Sequence, residues 1–399
     1  MEDKAEFKKP KLALVRGDTY GEWDSRSWRS LADDFDMTVF CSKGNSYNKF
    51  ESGIPVKKIF SSSDNFILKQ SLKYFSGQYK RMFGLEKQLA RFDLVHTYEV
   101  YNYYTLQSIR AKKRNKNLKV IVNVIDNTIG RFEYNYWPGF KSPPAYWRKK
   151  LKNITKEVIN GADMFLAVTQ YTADVFLGEF GVDRDRIRVL GNAEAEAPEI
   201  KKEELCLKLG IADRELYLAV NRLIKEKGIY ELLYGWRMYL SGSVNRDNKL
   251  LLLVGDGPER SNIARLIKEW ALESNIKIIT HLPNVEVRNL YRYSKCLILD
   301  SLPTSVWQEQ FGHVLAEAII ADCPVISTYS GAIPEVMEGA GLLVPPGNSV
   351  EIKKALIMLD DEPLYDKLKT NCAKIKYKFN PKYFRDKLLG YCQELKLLN

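Results

Sequence analysis

Two carboxylates with seven residues between them, Glu309 and Glu317, stand in the stretch Trp307-Gln308-Glu309-Gln310-Phe311-Gly312-His313-Val314-Leu315-Ala316-Glu317. From His313 onward Val314, Leu315, Ala316, Ala318, Ile319, Ile320 and Ala321 are helix formers or buried apolar types. The pattern predicts a helix with Glu317 one to two turns inside it and Glu309 in the loop before it. Eight helical steps at about 1.5 Å each span roughly 12 Å. The two acids of a glycoside hydrolase flank one bond at about 5–5.5 or 6.5–9.5 Å, so these glutamates do not share a bond. They suit the two parts of one extended ligand whose anionic group lies between them at the helix N-terminus, where free N–H groups and the dipole favour negative charge. A sugar, a diphosphate and a ribose in a row have that shape.

Arg222 and Lys227 follow the apolar run Leu216 to Val220, a predicted strand whose carboxyl end is where open α/β sheets bind ligands. Two cations there would neutralise a leaving nucleoside diphosphate without a metal ion. Gly255-Asp256-Gly257-Pro258 ends another predicted strand and opens a helix, with Pro at the expected first helical position. It reads equally as part of a nucleotide pocket and as a structural turn. Leu282, in His281-Leu282-Pro283-Asn284, is placed near the base. Phe311 and Gly312, with Gln310 beside them, bring backbone N–H groups to sugar and phosphates, Gly because it has no Cβ. Asp183-Arg184-Asp185 has the spacing of an acidic metal pair but reads as a turn.

In combination, Glu309, Phe311-Gly312 and Glu317, then Cys323-Pro324-Val325-Ile326 and Ser330-Gly331-Ala332-Ile333-Pro334-Glu335, resemble family 4 (group 1) of the retaining nucleotide-sugar glycosyltransferases. Asn221-Arg222-Leu223, Glu226-Lys227-Gly228 and Val254-Gly255-Asp256-Gly257-Pro258 extend the resemblance upstream, over roughly residues 216 to 360. The resemblance implies an α/β GT-B fold, two doubly wound Rossmann-like domains facing across a cleft. It implies retaining, metal-independent transfer of a hexosyl group from a UDP- or GDP-sugar to a hydroxyl acceptor, with no cofactor beyond that co-substrate. In the family this is a front-side displacement in which the leaving phosphate helps to deprotonate the acceptor. Within it Glu317 is the candidate for the ribose, since one carboxylate accepts from two neighbouring hydroxyls, and Glu309 for the donor-sugar hydroxyls. The family presents a His after a central strand of its first domain. The matching stretch here, Val122-Asn123-Val124-Ile125-Asp126-Asn127-Thr128, has none, so Asp126 or Asn127 is expected to take that polar contact. His96 is an alternative that also reads as a core histidine. Gly17 and Gly21 are candidates for a loop approaching the acceptor or a phosphate.

The elements that must position these residues are legible as alternating apolar runs and helical stretches, which argues for parallel βα units buried on both faces. The 399 residues exceed the roughly 250–300 of one core. The expected domains are 1–192, an acceptor-binding unit, and 193–378, a donor-binding unit, divided at the linker Gly191-Asn192-Ala193-Glu194-Ala195-Glu196-Ala197-Pro198. An amphipathic helix in 379–399 is expected, by resemblance, to return to the first domain, and a helix after Gly21 to be capped by Asp24.

Six scattered cysteines and three histidines make a metal site improbable and buried thiols the expectation. No apolar run reaches the roughly 20 residues of a membrane span, and Met1-Glu2-Asp3-Lys4 is charged, so a cytoplasmic protein is expected. The net charge of +11 is concentrated in residues 51–160, where 21 Lys and Arg face 8 Asp and Glu. Basic and aromatic residues mix in 73–83 and around Trp137 and Tyr146 to Lys150, which suits an anionic membrane surface and a lipid-linked glycan acceptor at its inner face. Two other functions remain open at this stage. One is a GT-B epimerase or phosphorylase, the other a non-catalytic nucleic-acid binder, which would have no need of the glutamate pair or of Arg222 and Lys227.

Overall fold

The computed structural model describes residues 9–18, 20–45, 53–76, 80–127, 145–211, 213–305 and 307–398. Thr128 and Trp137 lie outside the described residues, as do residues 77–79 of the basic and aromatic stretch. The chain divides into two units, Met1–Ala193 with Pro381–Asn399, and Glu194–Asn380. The first division falls one residue beyond the expected one, and the return to the first unit two residues beyond.

The first unit holds β1 (Lys11–Gly17), β2 (Asp36–Ser42), β3 (Val56–Ile59), β4 (Leu94–Tyr98), β5 (Lys119–Val124), β6 (Met164–Ala167) and β7 (Ile187–Val189). They form one sheet in the order β3-β2-β1-β4-β5-β6-β7, paired in parallel throughout. Successive side chains of a strand point to opposite faces, and both faces are covered. Ala13, Val15, Val95, Val120 and Val122 join one core, whereas Leu12, Leu14, Leu94 and Ile121 join another with Trp28 and Leu31. The helix Pro381–Glu394 belongs to that second core through Phe384, Leu388 and Cys392. Phe384 meets Trp28 edge to face at 5.6 Å, and Arg385 pairs with Asp34 at 2.6 Å.

The second unit holds β8 (Glu215–Val220), β9 (Lys249–Val254), β10 (Ile276–Ile279), β11 (Ser294–Leu299), β12 (Val325–Thr328) and β13 (Gly341–Val344). Their order is β10-β9-β8-β11-β12-β13, again parallel. In both sheets the chain begins in the middle, runs to one edge and restarts beside its first strand. The reversal points, between β1 and β4 and between β8 and β11, are where doubly wound sheets open a crevice at their carboxyl ends.

Two local expectations are corrected. Asp24 is not a cap: the helix Glu22–Arg29 begins after Gly21, and Asp24 is drawn inside by a buried ion pair with Arg16 and by the Tyr98 hydroxyl at 2.8 Å. Pro258 precedes the helix Arg260–Glu269 instead of opening it. All six cysteines are free and buried. Asp183 caps a short turn at Arg184–Arg186, its carboxylate accepting from the Asp185 N–H.

Candidate functional site

The loops leaving β8 and β11 carry the second unit's polar site. Lys227 Nζ donates to Glu309 Oε2 at 2.6 Å, spanning the reversal point, and sits 4.8 Å from the centre of the Trp307 ring. Ser301 Oγ donates to the same carboxylate oxygen at 2.8 Å. The backbone of Glu309 is fixed as well, because its carbonyl accepts from the Ala332 N–H at 3.0 Å. Gly331, at φ +57°, leaves no room there: a Cβ would stand 2.1 Å from that oxygen. Glu309 is therefore a buried loop carboxylate held by a cation, a hydroxyl and its own main chain.

Gly312 ends the loop in the left-handed region at φ 78°, and the helix His313–Ile320 starts after it. The first N–H groups of such a helix have no intrahelical acceptor, which suits an anion. Glu317 lies in the second turn, as its spacing implies, but it is not alone. Tyr291 Oη donates to Glu317 Oε2 at 3.1 Å and Arg288 approaches Oε1 at 3.5 Å. Burial first, then the Glu317 charge and hydrogen bond, push the Tyr291 hydroxyl pKa up, so it stays a donor. Phe311 is buried against Phe379 and His313, with ring centres 6.2 and 5.3 Å away, and Gln310 is half-buried.

A cleft of about 620 Å³ opens at the carboxyl ends of β8, β9 and β10, where Arg222, Gly255 and Leu282 come together with Asn221, His281 and Val314. Arg222 is exposed and has no ion-pair partner among the described residues. Asn221 Oδ1 is buried in the cleft wall without a hydrogen-bond partner among the described residues. Gly255 is obligatory: at φ +146° a Cβ would stand 1.9 Å from the Asn221 carbonyl oxygen. Lys227, Glu309 and Glu317 do not line this cleft, and Val314 places the first turn of the helix that carries Glu317 on its wall.

In the first unit, Asp126 follows β5 and is buried. The Tyr101 hydroxyl donates to Asp126 Oδ2, and Glu99 Oε1 accepts from the N–H groups of Ile125 and Asp126 at 2.9 and 3.0 Å. Glu99 itself has φ 60°, a conformation that costs a non-glycine residue of order 1 kcal/mol or more and recurs at functional sites. Gly17 is accounted for by packing, since at φ +55° its Cβ would meet the Tyr104 ring at 2.7 Å. Gly21 has ordinary extended backbone at the start of its helix. His96 is a core residue packed against Trp28, with ring centres 4.3 Å apart and the planes tilted by 51°. Its Nδ1 has no hydrogen-bond partner among the described residues, and burial and Arg16 push its pKa well down.

Five residues that the motifs did not single out complete the arrangement: Ser301, Arg288, Tyr291, Asp300 and Glu194. Asp300 and Ser301 read as the end of a strand, Arg288 and Tyr291 as ordinary helix positions, and Glu194 as linker.

The family model of glycosyl transferases group 1 matches residues 201–378, and that of glycosyltransferase family 4 matches residues 29–193. The N-acetyl-alpha-D-glucosaminyl L-malate synthase of Bacillus anthracis is 30% identical over 171 residues, 42% of this chain and 41% of that protein. The chain spans about half the length of the curated relatives it matches. A glycosyltransferase structure from Rickettsia africae ESF-5 superposes with a TM-score of 0.73 at 17% identity, covering 98% of this chain and 100% of that one. Anabaena HepE in complex with UDP and glucose gives 0.71 at 16% identity, covering 96% and 99%. The neighbours over the whole length show the GT-B fold, and with a glycosyltransferase model on each unit the chain belongs to the group 1 glycosyltransferases.

Proposed function

We propose that the protein transfers a sugar from a nucleoside diphosphate sugar to a hydroxyl acceptor, with retention at the anomeric carbon and without a metal ion. The observation that carries this reading is the Lys227–Glu309 pair at the reversal point of the second sheet, beside a cleft that presents an unpaired Arg222. The base occupies the cleft near Leu282 and Gly255. Arg222, Lys227 and the first N–H groups of the helix His313–Ile320 take the diphosphate, and Glu317 takes the ribose. Lys227 turns to the phosphate as the sugar hydroxyls take Glu309, so binding exchanges one charge-assisted contact for two. The rate gain comes from positioning and charge stabilisation of the leaving diphosphate. Asp126 is the first unit's own candidate for a polar contact with substrate. HepE, crystallised with UDP and glucose, supports a UDP-linked donor.

The test is calorimetric binding of UDP, GDP and ADP, with and without EDTA, to wild type and to Arg222→Ala. Tight binding of one nucleotide, insensitive to EDTA and lost in the variant, is the expected result. Binding that requires a divalent cation refutes the metal-free reading, and NMR of the product's anomeric proton decides retention.

A membrane-held, lipid-linked acceptor at the cytoplasmic face is the second part of the proposal. No helix among the described residues is long and apolar enough to cross a membrane. Phe66 and Ile67 are 75% and 76% exposed, the exposed rings of Phe60 and Phe83 stack on each other, and Lys57 and Lys58 are exposed as well. Lys80 is not part of this basic face: it is half-buried, and burial lowers its pKa against the charges of Asp18, Glu99 and Asp126. Co-sedimentation with vesicles containing phosphatidylglycerol should be lost in Phe66→Ser/Ile67→Ser, and absence of binding by wild type removes this part.

A further inference from the structure

Glu194 is the first residue of the second unit and stands in an Ala-Glu-Ala-Glu-Ala run whose composition reads as solvated linker. The structure buries it to 2% exposure. Its N–H donates to the Phe379 carbonyl at 2.8 Å, and Phe379 packs against Phe311. Its carboxylate reaches both His313 and Arg288. Oε1 lies 2.8 Å from His313 Nδ1, at the first residue of the helix that carries Glu317. Oε2 accepts from Arg288 at 2.8 Å, and the same guanidinium nitrogen lies 3.5 Å from Glu317 Oε1.

We propose that Glu194 is a positioning residue of the donor site. One buried linker carboxylate fixes the start of the phosphate-binding turn through His313, and by engaging Arg288 it keeps that cation from closing fully on Glu317. The inference rests on the donor-site reading above and adds to it the control of its ribose end. The charges facing His313 agree with the geometry: burial opposes its protonation, but Glu194, Glu317 and Glu309 together raise its pKa. If the Glu194 charge is removed at constant shape, Arg288 has Glu317 as its remaining carboxylate partner, and the ribose must compete with a buried ion pair.

The experiment is calorimetry with whichever of UDP or GDP the wild-type chain binds, together with thermal unfolding, on Glu194→Gln, Glu194→Gln/Arg288→Met and Arg222→Ala. The expected result is about tenfold weaker binding in Glu194→Gln, equivalent to about 1.4 kcal/mol, recovered to within about threefold when Arg288 is also replaced. A merely structural role for Glu194 would not be rescued by a second core substitution, so weak binding in both variants overturns the proposal. Unchanged binding in Glu194→Gln with loss in Arg222→Ala also overturns it and leaves the donor site standing. Unchanged binding in Arg222→Ala sinks the donor-site reading itself. Should Glu194→Gln not fold, His313→Leu serves, since that side chain is 37% exposed. It should bind about threefold more weakly, and no loss in the folded variant overturns the proposal.

Discussion

Replacing Asp300 by Asn should stabilise the second unit, and most at neutral and higher pH. Asp300 follows β11 at 2% exposure, and neither carboxylate oxygen has a hydrogen-bond partner among the described residues. It is pressed against Gly228, where a Cβ would stand 2.6 Å from Oδ2 and 1.8 Å from the Asp300 carbonyl. Burial, and secondarily the charge of Glu231, push its pKa up to about 7 from 3.8. The folded value lies above the unfolded one, so below about pH 4 the acid is protonated in both states and costs nothing. Stability is lost as pH rises through that interval, and the loss is complete above about pH 7. An interval of about 3 pH units corresponds to about 4 kcal/mol at most. Asn keeps the shape and removes the charge. For a unit of 187 residues, with roughly 2–4 °C per kcal/mol, the variant should melt up to about 8–16 °C higher at pH 8. At pH 5 less than half of that gain should remain. Differential scanning calorimetry at the two pH values measures this directly. A gain equal at both, or none at pH 8, refutes the argument that an unpaired buried charge is the cause.

Lys227→Ala removes the cation that holds the buried Glu309 carboxylate and should cost about 3 kcal/mol or more. Lys227→Ala/Glu309→Gln should recover most of that in urea unfolding without recovering transfer, and a double variant as unstable as the single one contradicts the assignment. Gly255→Ala drives a Cβ against the Asn221 carbonyl and should lower both the melting temperature and nucleotide affinity; normal affinity would show that the cleft wall does not need this close approach. The His313–Glu194 pair has a folded pKa above the unfolded imidazole value of about 6.5. Its contribution is therefore fully present below about pH 6.5 and is lost as pH rises through the folded value. NMR titration of the imidazole should show a raised midpoint that falls in Glu194→Gln, and an ordinary midpoint in wild type removes the contribution.

Much of this was legible in the sequence. The central strands of both sheets could be read because they are short, buried apolar runs such as Leu-Ala-Leu-Val or Leu-Leu-Leu-Val, a pattern that burial on both faces imposes, whereas the edge strand β3 is largely exposed. The placement of Glu309 in a loop and Glu317 in a helix followed from Gly312, whose left-handed backbone marks the junction. What could not be read depends on partners far apart in the chain. Glu194 has the residue type of a solvated linker, and its burial is decided by Arg288 and His313, more than 90 positions away. Asp24 had the type of a helix cap, but Arg16 at the end of β1 needed a buried counter-charge and took it. Asp300 looked like the polar end of a strand, and only the close approach of Gly228 shows that water does not reach it.

The first unit is made of two stretches of chain, with the whole of the second unit inserted between them. During synthesis this fixes an order of events. The second unit leaves the ribosome complete and can close its sheet from contiguous sequence. The first cannot, because Phe384, Leu388 and Cys392, which cover Trp28, Leu31 and Leu190, are made about 200 residues after β7. At roughly 5–20 residues per second, that apolar face waits for about 10–40 s, the interval in which chaperones and neighbouring nascent chains compete for it.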